Sequence, residues 1–245
     1  MAEGPRLRTV EKYRPPYPLN KFPKHFPLNL GRELVYLLAS RGTPRLEGPD
    51  WEEIFARLVG AQWKPSNVGL DDVVLQQTAW GAKTVKNRRP STVSKIRLIS
   101  GRNSPAYSFG DREISGTDPN DHGEKILSIW NERVAGIRKL YKHLRTVVLI
   151  KSDDLLEAAV FEFETILHRV EDYWWQWNER NNLEGFSKGS NQHIFTWQPH
   201  GSQFTIIEDV PGERLAIRIK KPPVVNRNEI LDIIKFDESW IEIIK

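Results

Sequence analysis

Hydrophobic and polar residues repeat along this chain with two different periods, and the change of period marks out its elements. From Asp50 to Val59 the apolar residues Trp51, Ile54, Phe55 and Leu58 share one helical face, with Glu52 and Glu53 in the first turn. A longer helix is predicted over about His122 to His143, where Ile126, Leu127, Trp130, Val134, Ile137 and Tyr141 keep helical spacing. A short one over about Arg32 to Ser40 is closed by Gly42. Asp72–Lys86 reads as one or two strands, Lys95–Ser100 as another, and the unbroken apolar run Thr146–Ile150 as a buried strand.

Residues 153–180 fit both periods, since Val160–Glu164 alternates like a strand while Asp153–Leu167 also accommodates a helix. Beyond Asn191, strands are expected at His193–Gln198, Gln203–Glu208 and Leu215–Lys220, and a small helix at Ile230–Phe236. Residues 1–30 follow neither period. Their proline density excludes a regular helix or a central strand, so an extended arm is expected, draped over the domain or a partner. The order helix, strand, strand, strand, long helix, strand describes an α/β core followed by a strand-rich segment. Three parts follow: an extended basic arm (1–30), a core (31–152) and a β-rich segment packed on it (153–245).

Composition narrows the classes. Of the 245 residues, 39% are hydrophobic, enough for a sizeable core. There is no cysteine, which removes disulfide frameworks, thiolate zinc sites and cysteine nucleophiles. No HExxH, GxxxxGK[ST] or GxSxG pattern occurs, so a dedicated zinc site, ATP hydrolysis and a serine elbow find no support. No stretch approaches the roughly 20 apolar residues that span a bilayer, and the amino terminus lacks a signal-like apolar run; a soluble, cytoplasmic protein is expected. The net charge of +4 permits a polyanionic partner, and the basic residues gather at 6–24, 83–102 and 214–221.

The stretch Gly69–Lys86 carries the candidate chemistry. It sets Asp71 and Asp72 at a strand start and Lys83 further on, with Gln77, Ala79, Gly81 and Lys83 on one face of an extended chain. Phosphodiester hydrolysis needs carboxylates to hold one or two metal ions, and it gains from a cation that orients the attacking water. Each residue also has a plainer reading. Asp50 and Glu53 have capping-box spacing, Asp71–Asp72 after Gly69 suits a turn, and Lys83 and Lys86 suit a solvated strand. The second candidate is His193–Thr205, where aromatic residues alternate with Thr, Gln, His and Ser. A β-ribbon can enter the major groove and Gln can read adenine, which puts Gln198, His200 and Gln203 near the tip of a recognition hairpin; a core hairpin with a polar turn is the alternative. Lys86, Arg88, Arg89, Arg102 and Asn103 are candidate phosphate contacts. Tyr173–Trp177 suits base stacking or packing.

Asp72 and Ala82-Lys83-Thr84-Val85 resemble the active-site strand of the PD-(D/E)XK nuclease superfamily, in particular its mismatch-repair nicking enzymes and some monomeric restriction enzymes. The resemblance implies a restriction-endonuclease-like core, a mixed central sheet flanked by helices. It also implies Mg²⁺ as cofactor, double-stranded DNA as substrate, Asp72 as metal ligand and Lys83 as the motif lysine. Gly81 stands where that pattern has an acid, so a second carboxylate must come from elsewhere: Glu53 from the preceding helix first, then Asp71 or Gln77. The expected function is sequence-specific DNA cleavage of the type II restriction kind, which would imply a cognate methyltransferase encoded nearby. A repair or nicking nuclease and a non-catalytic DNA-binding or scaffold protein are the alternatives, with a homodimer left open.

Overall fold

The computed structural model describes residues 13–65, 69–110 and 118–244. The fold opens with two helices. α1 (Phe26–Arg41) begins ahead of its predicted start because Pro27 sits in the first turn, where its missing N–H has no partner to lose. It stops at Gly42, whose φ of 66° lets its N–H reach back to the carbonyl of Leu38. In α2 (Gly48–Val59) the capping box is formed by Glu47 and Asp50, one turn upstream of the pair expected from spacing.

A mixed sheet of six strands lies against these helices in the order β1-β2-β3-β5-β6-β11. Its members are β1 (Gln62–Trp63), β2 (Val73–Leu75), β3 (Thr78–Lys86), β5 (His143–Lys151), β6 (Glu157–Glu164) and β11 (Leu215–Arg218). Only β3 and β5 are parallel; the other neighbours are antiparallel. A second, antiparallel sheet runs β4-β10-β9-β8-β7, built from β4 (Lys95–Arg102), β7 (Tyr173–Trp177), β8 (Leu183–Ser187), β9 (His193–Gln198) and β10 (Gln203–Asp209). The short helix α3 (Pro105–Phe109) and the long helix α4 (Pro119–Leu140) lie between β4 and β5 in the chain.

β5 is covered on both sides, as its unbroken apolar run requires. Val147 and Leu149 pack with Leu30, Leu34, Trp51, Phe55 and Trp80 under α1 and α2. Val148 and Ile150 face Ile96 and Leu98 of β4. α4 fills the rest of the seam, with Ile126, Trp130 and Val134 between Ala79 and Leu144 of one sheet and Trp175, Phe195 and Phe204 of the other.

The sheets do not divide at residue 152. β4 crosses into the second sheet, while β6 and β11 return to the first. The ambiguous stretch resolves as β6, a 3-10 turn and β7. Of the arm, residues 1–12 lie outside the described residues. The remainder is tied down at Tyr17, whose hydroxyl donates to Glu162 Oε1 at 2.8 Å inside a buried cluster that Trp80 and Arg145 complete. Its last residues, 26–30, are the first turn of α1. Among the described residues, no helix is long and apolar enough to cross a membrane.

Candidate active site

The β2–β3 hairpin positions the acid and the lysine. Val73 pairs with Trp80, which brings Asp72 opposite Gly81, and the N–H of Ala82 donates to Asp72 Oδ2 at 3.1 Å. Alternation along β3 turns Lys83 to the same side as Ala79 and Gly81, toward the second sheet. Its Nζ lies 3.6 Å from Asp72 Oδ2 and donates to the carbonyl of Gly69 at 2.8 Å. Asp72 is only 2% exposed. Burial pushes its carboxyl up to about 6 against the pull of Lys83, and Glu52 and Asp71 add to the rise. Burial lowers Lys83, while Asp72 and Glu52 hold its charge in place.

Gly81 has a local cause. A Cβ there would stand 3.0 Å from the carbonyl oxygen of Gly69 and 3.2 Å from Cα of Leu70. The incoming backbone occupies the space that a side chain at this position would need.

The α2 carboxylate whose charge reaches this pair is that of Glu52. Glu52 acts electrostatically on both Asp72 and Lys83, and its Oε2 accepts from the Trp63 indole at 3.1 Å. Glu53, the residue expected from sequence, lies on the exposed side 4.0 Å from Arg57, one helical turn on. Asp71 pairs with Lys64 at 2.9 Å, and its Oδ1 is buried without a hydrogen-bond partner. Gln77 sits at the hairpin turn; it is six positions from Lys83 along an extended strand, roughly 20 Å, and takes no part in the site.

One residue of the site had no signal in the spacing. Arg133 of α4 lines, with Gly69, Lys83, Ser100, Gly101 and Arg102, a cavity of about 380 Å³. Its guanidinium donates to the carbonyl of Ser100 at 2.8 Å and to Asn103 Oδ1 at 3.1 Å, and it feels the charge of Asp72. β4 bulges here, leaving Ser100 out of register with β10, and Gly101 adopts φ 119° with its Cα under the guanidinium. A Cβ would come within 2.4 Å of Arg133. The glycine is what lets Arg133 lie across the strand.

The DNA-contact candidates separate into groups. Arg102 is exposed on the rim of the Lys83 cavity, and its register partner is Gln203, which pairs in turn with Gln198. His200 is exposed at the tip of the same hairpin. Asn103 is completely buried: its amide donates to the carbonyl of Ile126, and its own carbonyl accepts from Trp197, so it buttresses the seam and is not a surface contact. Lys86 lies near Asp153 at 4.0 Å, and by alternation on the face opposite Lys83; Arg88 and Arg89 are exposed on the turn that follows. In Tyr173–Trp177, Trp175 is buried in the core and Trp174 stacks on Phe186 at 4.5 Å, which is packing.

Comparison with protein-family models, curated proteins and solved structures found no match. Among the described residues, no group of three or more His, Asp or Glu side chains is arranged to hold a metal ion. Glu52 raises the carboxyl of Asp72, and the two are donors of the chemical type that Mg²⁺ takes, one or two protein carboxylates beside waters and substrate phosphates.

Proposed function

We propose that this protein is a Mg²⁺-dependent endonuclease that hydrolyses phosphodiester bonds in double-stranded DNA, with a restriction-endonuclease-like core. The observation that carries the reading is buried Asp72 paired with half-buried Lys83, with Glu52 of α2 acting on both members. The chain runs α2, β1, β2 and β3 in order and, after β4 has left for the second sheet and α3 has followed it, α4 and β5, with β3 parallel to β5, which supports it. Asp72 and Glu52 would hold the ion. When bound, it would supply Lewis-acid stabilisation of charge on the phosphate oxygens. Lys83 keeps its ammonium beside Asp72 and orients the attacking water, while Arg102 and Arg133 draw the scissile phosphate toward the cavity. Gln203 and Gln198, beside Arg102 on neighbouring strands, present amide groups suited to base edges.

The test is cleavage of long unmethylated duplex DNA with Mg²⁺. Wild type should give discrete fragments, and Asp72→Asn, Lys83→Ala and Glu52→Gln should each lose about 100-fold or more. Glu53→Gln should keep wild-type activity. A wild type that retards DNA without cutting it would replace this reading with a DNA-binding role, for which the filled space at Gly81 is the structural argument.

A further inference from the structure

The chain beyond β11 has no core of its own to enter. After Val225, whose N–H bonds the carbonyl of Ala39, it forms α5 (Arg227–Ile233) and a 3-10 turn at Glu238–Trp240. No residue of either is buried. Ile233 is 78% exposed, and Ile234, Phe236, Trp240, Ile241 and Ile243 are exposed with it. So much large apolar surface in a short segment marks an interaction site.

The matching surface lies on the same molecule. On the outer side of α1, beside edge strand β11, is an open groove of about 550 Å³ lined by Pro27, Leu28, Val35, Tyr36, Ile217 and Ile219. Leu28 is 65% and Tyr36 66% exposed, although both belong to a helix whose other side is core. The charged residues of the groove are Arg32 and Lys220, both basic. Residues 227–244 carry Glu229, Asp232, Asp237, Glu238 and Glu242 against Arg227 and Lys235. Apolar surface therefore meets apolar surface, and an acidic segment meets a basic rim.

We propose that residues 227–244 of one chain dock in the α1/β11 groove of a second copy, and reciprocally, to form a dimer. The chain's own course favours a second copy as occupant. From β11 it crosses the C-terminal end of α1, where Val224 touches Gly42, and so leaves the groove behind before α5 begins. A two-fold exchange gives each groove one segment and closes the assembly, so no open filament grows. The dimer does not depend on the nuclease reading.

Sedimentation velocity of the full chain over a wide concentration range tests this. A species near twice 28.4 kDa is expected, and a chain ending at Asn226 should be monomeric. Ile233→Asp and Tyr36→Asp, both at exposed positions and so harmless to the fold, should each weaken the dimer about tenfold or more. Because the chain has no cysteine, Tyr36→Cys and Ile233→Cys can be made in separate chains and mixed. A disulfide-linked heterodimer is expected under oxidation. A monomer at every concentration would overturn the proposal, as would a dimer that survives both the truncation and Tyr36→Asp.

Discussion

At the residue scale, the closeness of the acid and the lysine follows from strand spacing. Asp72 and Lys83 lie on one hairpin, and an antiparallel register with alternating faces brings them within 3.6 Å. Capping does not separate Glu52 from Glu53: Glu47 and Asp50 form the cap, which leaves both glutamates free of that role. What separates them is the face. Glu52 lies three and four residues before Phe55 and Ala56, both buried, whereas Glu53 lies four before exposed Arg57. Asp72 also sets a pH dependence. Its folded value of about 6 is above the ordinary carboxylate value, so burial costs the ionised form, and this group's contribution to stability falls as pH rises through the window from about 4 to 6. Holding Mg²⁺ requires that same ionised form. At limiting Mg²⁺, cleavage should therefore decline as pH drops through about 6, and more Mg²⁺ should move the midpoint lower because ion and proton compete for one carboxylate. A midpoint that ignores Mg²⁺ concentration would remove Asp72 from the metal site.

At the element scale, long regular segments were readable and short or doubly periodic ones were not. α4 and β5 announce themselves through helical spacing and an unbroken apolar run; β1 is a two-residue strand with no pattern to read. The arm is a further case. Its prolines correctly forbid regular structure through residue 25, yet what fastens it is a polar contact that no periodicity encodes. Tyr17 and Trp80 donate to the same oxygen of buried Glu162, and Arg145 lies 3.4 Å from the other. Asn20 adds two bonds to the backbone of Glu162. Removing a donor from a buried carboxylate leaves an acceptor lone pair unmet, so Tyr17→Phe should cost about 1–3 kcal/mol. Urea unfolding would read this as a lower midpoint. Limited proteolysis should cut near residues 13–25 faster in the variant, since the arm loses the contact that holds it to the sheet.

At the scale of the whole molecule, sheet membership was the part that could not be read, because it is decided by pairing between distant segments. β4 leaves the strands that precede it in sequence and joins β10, and this places Ser100 and Gly101 across the seam from Lys83. The cavity is therefore formed by two sheets and the helix between them, so its shape depends on how α4 seats against the second sheet. Trp175 governs that seating. Its indole lies against Gly123 of α4 and against Gly185 of β8; a Cβ at Gly123 would be 2.2 Å from the ring, and one at Gly185 2.8 Å. The ring cannot yield toward Gly185, so a larger residue at position 123 must push α4 outward and carry Arg133 away from Ser100 and Asn103. Gly123→Ala should thus destabilise the protein by about 1–3 kcal/mol or more and weaken DNA cleavage well beyond what its stability loss explains at a temperature where it stays folded. Gly136 lies in the same helix with open space around its Cα. There the ordinary helix preference prevails, and Gly136→Ala should raise stability by about 0.5–1 kcal/mol with activity unchanged. Thermal melts and cleavage rates of the two variants side by side would check the argument, and equal effects of the two substitutions would show that α4 does not set the cavity.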